Sequence, residues 1–218
     1  MSRPVKFVTL FLWLIAVIGM VGVIAMELFS RDRQTPAPDV VLGASNDTDD
    51  GLQIYPVVAP DFSFTDQLGR TVTTSSLKGH PWIADFFFTQ CASACPILTS
   101  RLAAVQNQIP GEVQFVSFSV DPDHDNQAAL LAYAKQYGAD NSRWHFVTGP
   151  KQPLFAAIAA MKVAVIPASD GNPIAHDVHY LLMDSTGRLR GVYDSTDPPR
   201  IEQMVKDANA LLAQESKP

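Results

Sequence analysis

The chain alternates between stretches with a clear apolar period and stretches with none. Phe7 to Met26, FVTLFLWLIAVIGMVGVIAM, is twenty residues without a charge. As a helix it rises about 30 Å, the thickness of a bilayer's hydrocarbon core. Ser30 to Pro60, with RDRQTPAPDVVLGASNDTDDG, is rich in Pro, Asp, Ser and Gly, lacks an apolar period and reads as a tether. From Asp61 the pattern becomes that of a folded domain. FSFTD and TVTTSSL flank QLGR and predict a small hairpin. PWIADFFF predicts a buried strand, and PILTSRLAAVQNQI places Leu98, Leu102 and Val105 at helical spacing, with Pro96 suited to the first turn. VQFVSFSV, QAALLAYAKQYG, WHFVTG and KQPLFAAIAAMKV continue as strand, helix, strand, helix. HYLLMD and LRGVYD around STGR form a second hairpin, and a helix from about Arg200 to Leu212 closes the chain.

This order predicts an α/β layer with a central sheet. The cysteines at the C-terminal end of the first core strand narrow it to a thioredoxin-like fold with an N-terminal hairpin, preceded by one transmembrane helix. The segments are an N-terminal transmembrane anchor over residues 1–29, a flexible tether over 30–59 and the thioredoxin-like domain over 60–214.

Charge refines this picture. The net charge is −6, yet Arg3, Lys6, Arg31 and Arg33 outnumber Glu27 and Asp32 in the first 33 residues, so the body is more acidic than the whole. An acidic body without a basic stripe excludes nucleic acid as a partner. The apolar run ends in MELFSRDR, which lacks a small-x-small cleavage site, so an uncleaved anchor fits better than a signal peptide. Arg3, Lys6 and the α-amine favour a cytoplasmic N-terminus; Arg31 and Arg33 oppose this, and the short tail with its large C-terminal body restores it. The expectation is a single-pass inner-membrane protein with its soluble domain in the periplasm, where disulfides are permitted. No long Arg-rich presequence is present, which favours a bacterial over a mitochondrial membrane.

Cys91 and Cys95, in FFFTQCASACPILTSRL, are the only cysteines. If the helix reaches back to Cys91, residues i and i+4 share a face about 6 Å apart, close enough to share a metal or to form a disulfide. Spacing alone therefore permits copper, zinc or redox chemistry, and a helix N-terminus favours the thiolate that each requires. A structural disulfide is the plain alternative, although one closing so short a loop adds little entropic stabilisation. Zinc wants four ligands, and a second cysteine pair is absent. Copper(I) prefers soft thiolates and accepts an imidazole as a third ligand.

Five histidines compete for that position. His80 falls in a surface turn, His124 in the acidic loop DPDHDN and His145 within a strand. In HDVH, an odd separation on a strand puts His176 and His179 on opposite faces. His176, in the loop leading into the strand, is modestly preferred over His179.

FFFTQCASACP, SFSVDPDHDNQAALLAYAKQYG and HDVHYLLMDSTGRLRGVYD together resemble the Sco/SenC copper proteins, from about Pro60 to Leu212. The resemblance implies a thioredoxin-like fold that binds one copper ion through Cys91, Cys95 and His176. It implies a role in assembling the CuA centre of cytochrome c oxidase subunit II, as a copper carrier, as a thiol reductant of that subunit's cysteines, or as both. In the reductant role Cys91 and Cys95 form the redox pair. Asp121, in the S-V-D-P loop, matches a common acidic position and is assigned to structure or docking. Ala92, Ser93 and Ala94 make a plainer loop than many members have, and His179 is an addition to the pattern.

Overall fold

The fold is described from a computed structural model that places residues 45–49, 52–91, 94–166, 174–176 and 178–216, with Trp13 and Met20. Among these residues no helix is long and apolar enough to cross a membrane. The expected anchor, Phe7 to Met26, lies outside the described residues apart from Trp13 and Met20.

Strands β1 (Ser45–Asp49) and β2 (Leu52–Ile54) pair antiparallel. A hairpin follows, β3 (Ser63–Asp66) and β4 (Thr71–Thr73), then a one-turn helix α1 (Thr74–Leu77). The core alternates β5 (Trp82–Phe87), α2 (Ala94–Val105), β6 (Gln114–Ser119), α3 (Gln127–Gln136), β7 (Trp144–Thr148) and α4 (Lys151–Ala160). Two-residue strands β8 (Val165–Ile166) and β9 (Ala175–His176) pair with each other. A second hairpin, β10 (His179–Met183) and β11 (Leu189–Asp194), precedes helix α5 (Pro198–Glu215). The main sheet has seven strands in the order β11-β10-β5-β6-β7-β3-β4, with β5, β6 and β7 parallel and the two hairpins antiparallel at the flanks.

The six side chains of β5 are all buried, as a strand covered on both faces requires. Trp82, Ala84 and Phe86 pack with Phe118, Val147, Leu154 and Ile158 on one face. Ile83 and Phe87 pack with Cys95, Leu102, Leu130, Tyr133, Met204 and Leu211 on the other. The cysteine helix α2, together with α3 and α5, therefore covers a single face.

The two hairpins turn on the same sequence, D-x-x-G-R, and the same device. Asp66 Oδ1 accepts the amides of Leu68 and Arg70, each at 2.9 Å, and Asp184 Oδ1 accepts those of Thr186 and Arg188 at the same distance. Gly69 (φ +78°) and Gly187 (φ +86°) take the left-handed position that a side chain would strain.

Two elements differ from expectation. TVTTSSL is strand only through Thr73; its second half is helical because Thr73 and Ser76 exchange side-chain and backbone hydrogen bonds in a capping box. Within the expected tether, Leu52, Val57 and Ala59 are buried, and the Tyr55 and Ala59 amides donate to the carbonyls of Leu189 and Gly187. Isolated apolar residues in a polar stretch carry no period, so the segment's edge pairing was not legible.

Asp85 lies within β5, 4% exposed. Trp144 Nε1 donates to Ser117 Oγ at 2.8 Å, and that hydroxyl donates to Asp85 Oδ1. Burial pushes the Asp85 carboxyl up to about 7, against the lowering effect of the Ser117 hydrogen bond. A carboxyl raised in the folded state loses its stability contribution as pH climbs from its unfolded value near 4 through 7. The protein is therefore expected to lose on the order of a few kcal/mol across that window relative to Asp85→Asn, whose carbonyl still accepts from Ser117. Urea unfolding of both proteins between pH 4 and 8 measures this; parallel pH profiles would refute it.

Candidate metal centre

The cysteine pair is built at the point where β5 leaves the sheet. The Val120 amide donates to Phe87 O at 2.8 Å, and the Cys91 amide donates to Phe88 O at 3.2 Å, so the chain turns as soon as the parallel ladder ends. Helix α2 begins at Ala94, not at Cys91. The two cysteines therefore do not share a helical face; they meet because Cys91 precedes the helix and its Sγ accepts the Cys95 amide at 3.4 Å. That amide, in the first helical turn, has no carbonyl partner within the helix, and sulfur takes it as a capping oxygen would.

The two residues are thiols rather than a disulfide, Cys95 buried and Cys91 half-buried. Burial raises the Cys95 pKa strongly; a hydrogen bond with the Cys91 side chain adds to this, and the nearby Asp85 carboxyl adds a little more. Cys95 is thus kept protonated. Ionising it needs a compensating positive charge, which a bound metal ion provides.

The loop before Cys91 is anchored by Asp125, a residue that sequence reasoning passed over. Asp125 is fully buried and accepts from the Thr89 amide (3.1 Å), the Thr89 hydroxyl (2.5 Å) and the Ser119 hydroxyl (2.6 Å). Burial raises its pKa, and those hydrogen bonds hold the rise back. The signal was present in DPDHDN, but three aspartates in one loop look alike until the fold buries one of them. Asp121 instead accepts from His124 Nδ1 at 2.8 Å on the surface, and Asp123 pairs with Lys151 at 2.5 Å.

The histidines separate as follows. His80 is exposed in a turn, its amide bonded to Leu77 O. His124 is held by Asp121, and His145 Nδ1 lies 3.0 Å from Asp66 Oδ2 in the interior of the sheet. His179 opens β10 opposite Asp194, whose carboxyl is held below its usual range: burial pulls it up, while Thr196 hydrogen bonds and the charges of His179 and Arg101 outweigh that pull. His176 is not in a loop but in β9, its Cα opposite that of Val165. Its imidazole lies outside the described side chains, as do Ala92 and Ser93. Among the described residues no group of three His, Cys, Asp or Glu side chains is placed to hold a metal. The described side chains thus bring Cys91 and Cys95 together, and two sulfur donors suit a soft ion that accepts a low coordination number.

The sequence profile of the SCO1/SenC family matches residues 53–213. The chain is 29% identical over 154 residues to the SCO1 protein homolog of Bacillus subtilis (strain 168), covering 68% of this chain and 80% of that protein. It is similar to the structure of Bradyrhizobium japonicum ScoI with copper bound, at 26% identity and TM-score 0.58, over 71% of this chain and 99% of that one. It is also similar to BsSco, at 27% identity and TM-score 0.65, over 72% and 94%. That structure is described as identifying a disulfide switch in a member of the Sco family of cytochrome c oxidase assembly proteins. The seven-stranded mixed α/β sheet is therefore the thioredoxin-like fold of the Sco structures.

Asp125→Ala leaves two hydroxyls and an amide without their buried acceptor. It is expected to destabilise the domain by about 2–4 kcal/mol and to speed alkylation of Cys91. Asp125→Asn, which keeps one acceptor oxygen, is expected to cost less. Urea titration and a thiol-labelling time course check both, and wild-type values for the alanine variant would remove the anchoring role.

Proposed function

Because this chain belongs to the SCO1/SenC family, we propose that it is a membrane-anchored copper metallochaperone. One copper ion is carried by the thiolates of Cys91 and Cys95 and the imidazole of His176, for assembly of the CuA centre of cytochrome c oxidase subunit II. The observation that carries this reading is the pair of free thiols brought together at the start of α2, Cys91 Sγ accepting the amide of the buried Cys95 at 3.4 Å. Such a pair releases its protons in exchange for a soft cation rather than ionising in water. The copper-bound ScoI relative, similar over 99% of its length, supports copper as the cargo. In this reading His176, which lies in β9, supplies the third ligand.

In this reading copper leaves by ligand exchange, a partner's thiolates or imidazoles replacing these three donors one at a time. The uncharged run Phe7 to Met26 spans the inner membrane with the N-terminus in the cytoplasm, and residues 30–59 lead to the domain in the periplasm.

A second reading rests on the same pair. Cys91 and Cys95 are both free thiols joined through the Cys95 amide, and the BsSco relative is described with a disulfide switch. Cys91 and Cys95 would then reduce a disulfide of the copper acceptor and become oxidised themselves. The two roles are compatible in sequence, since the acceptor's cysteines must be reduced before they bind copper.

Two measurements test the proposal. His176→Ala should lose tight copper binding, by tenfold or more, while its dithiol oxidises and reduces as in the wild type; unchanged affinity would sink the ligand assignment. Removing residues 1–29 should move the protein from the membrane fraction to the soluble fraction without changing copper stoichiometry. Persistence of the truncated protein in the membrane would place the anchor elsewhere.

A further inference from the structure

Helix α2, which carries Cys95, is joined to the chain that carries His176 by two polar links. In the first, Tyr180 Oη donates to Leu98 O at 2.7 Å; both residues are buried and they lie 82 positions apart. Leu98 is one turn beyond Cys95, and Tyr180 is four residues beyond His176. In the second, Arg101 Nη1 donates to Ser195 O at 2.6 Å. Ser195, fully buried, returns both its amide (3.2 Å) and its hydroxyl to Val178 O, two residues beyond His176.

These links act where the sheet does not. The ladder between β10 and β5 covers Leu181, Leu182 and Met183. Upstream of Leu181, β10 pairs with β11, and β9 pairs with the two-residue strand β8. Among the described residues, those leading back from Leu181 to His176 form no ladder to β5, and Tyr180 and the Ser195–Arg101 bridge connect them to the cysteine helix.

We propose that Tyr180, Ser195 and Arg101 are positioning residues that fix the His176-bearing segment against α2 and so set the distance between the third copper ligand and the cysteine pair. The proposal rests on His176 being a copper ligand, as argued above. Packing alone would be served by phenylalanine at position 180, since the ring already fills the cluster that contains Cys95 and Leu102. What the hydroxyl adds is direction. A buried hydrogen bond contributes only about 1 kcal/mol net, yet it admits a narrow range of angles, whereas apolar contacts tolerate sliding. Arg101 bears on the same point, because an ordinary surface arginine would extend into water rather than hold a main-chain carbonyl. Loss of the clamp lets the His176 segment sample more positions, and metal binding then bears the cost of ordering it.

The test compares Tyr180→Phe, Arg101→Met, which removes the donor to Ser195 O, and the double variant with the wild type, each in the wild-type and His176→Ala backgrounds. Copper(I) affinity is read by competition with a chromophoric chelator, and the reduction potential of the Cys91–Cys95 pair is read separately. The nitrogen contribution to the copper X-ray absorption is a third readout. The clamp predicts a tenfold or greater fall in copper affinity for the double variant, a weakened nitrogen contribution, an unchanged dithiol potential and no further fall in the His176→Ala background. Wild-type affinity in a folded double variant overturns the clamp while leaving His176 as ligand. An equal fall in the His176→Ala background also overturns it, because the effect then acts on the cysteines or on folding. If His176→Ala binds copper like the wild type, the ligand reading fails first and the clamp goes with it.

Discussion

Burial of all six side chains of β5, from Trp82 to Phe87, constrains the rest of the molecule. A strand paired on both edges and covered on both faces has no solvent-facing register to slip into, since a one-residue shift would drive Asp85 into the opposite apolar layer. The residues that follow, Phe88 to Cys91, therefore leave the sheet at a determined point. The parallel ladder with β6 ends at Phe87 and Ser119, and both chains turn there. The cysteine loop and the DPDHDN loop thus emerge side by side, and only because of that can Asp125 reach Thr89. The cysteine pair lies just beyond this doubly covered strand.

Carboxylates do much of the positioning in this acidic domain. Asp66 and Asp184 turn the hairpins, Asp125 binds the cysteine loop to the end of β6, and Asp85 bridges through Ser117 to Trp144. A buried carboxylate is costly unless its oxygens are occupied; amides and hydroxyls occupy those of Asp125, and Asp66 adds the Arg70 guanidinium at 2.7 Å. At Cys95 desolvation dominates, so burial raises the thiol pKa and disfavours the thiolate unless a positive charge compensates it.

Polar links also join α2 to the β10–β11 hairpin, which follows His176, the proposed third ligand. Cys91 and Cys95 are close in sequence and need only a local turn to meet. His176 is some eighty residues away and needs the tertiary structure to hold it, so the hydrogen bonds from Tyr180, Arg101 and Ser195 stand where sequence separation is greatest. In the proposed function, local geometry would serve the dithiol and long-range geometry the third ligand.

By itself the sequence determined the order of elements, because apolar periodicity near 2 and near 3.6 is a local property. It also determined the identity of the two sulfur donors, since no other cysteine exists, and the two hairpin turns, since D-x-x-G-R carries its own hydrogen-bonding partners. It singled out His176 only through its placement before a strand and through family likeness. Structure decided the rest. A local exchange between Thr73 and Ser76 made TSSL a helix, and tertiary packing drew Leu52, Val57 and Ala59 onto the domain. Helix α2 starts at Ala94, so Cys91 lies before it and accepts the Cys95 amide. Tertiary packing also separated Asp125 from its neighbours in the same loop. Each of these depends on a partner distant in sequence or on a geometry that period cannot encode, because periodicity reports which face of an element is apolar and not what that face will meet.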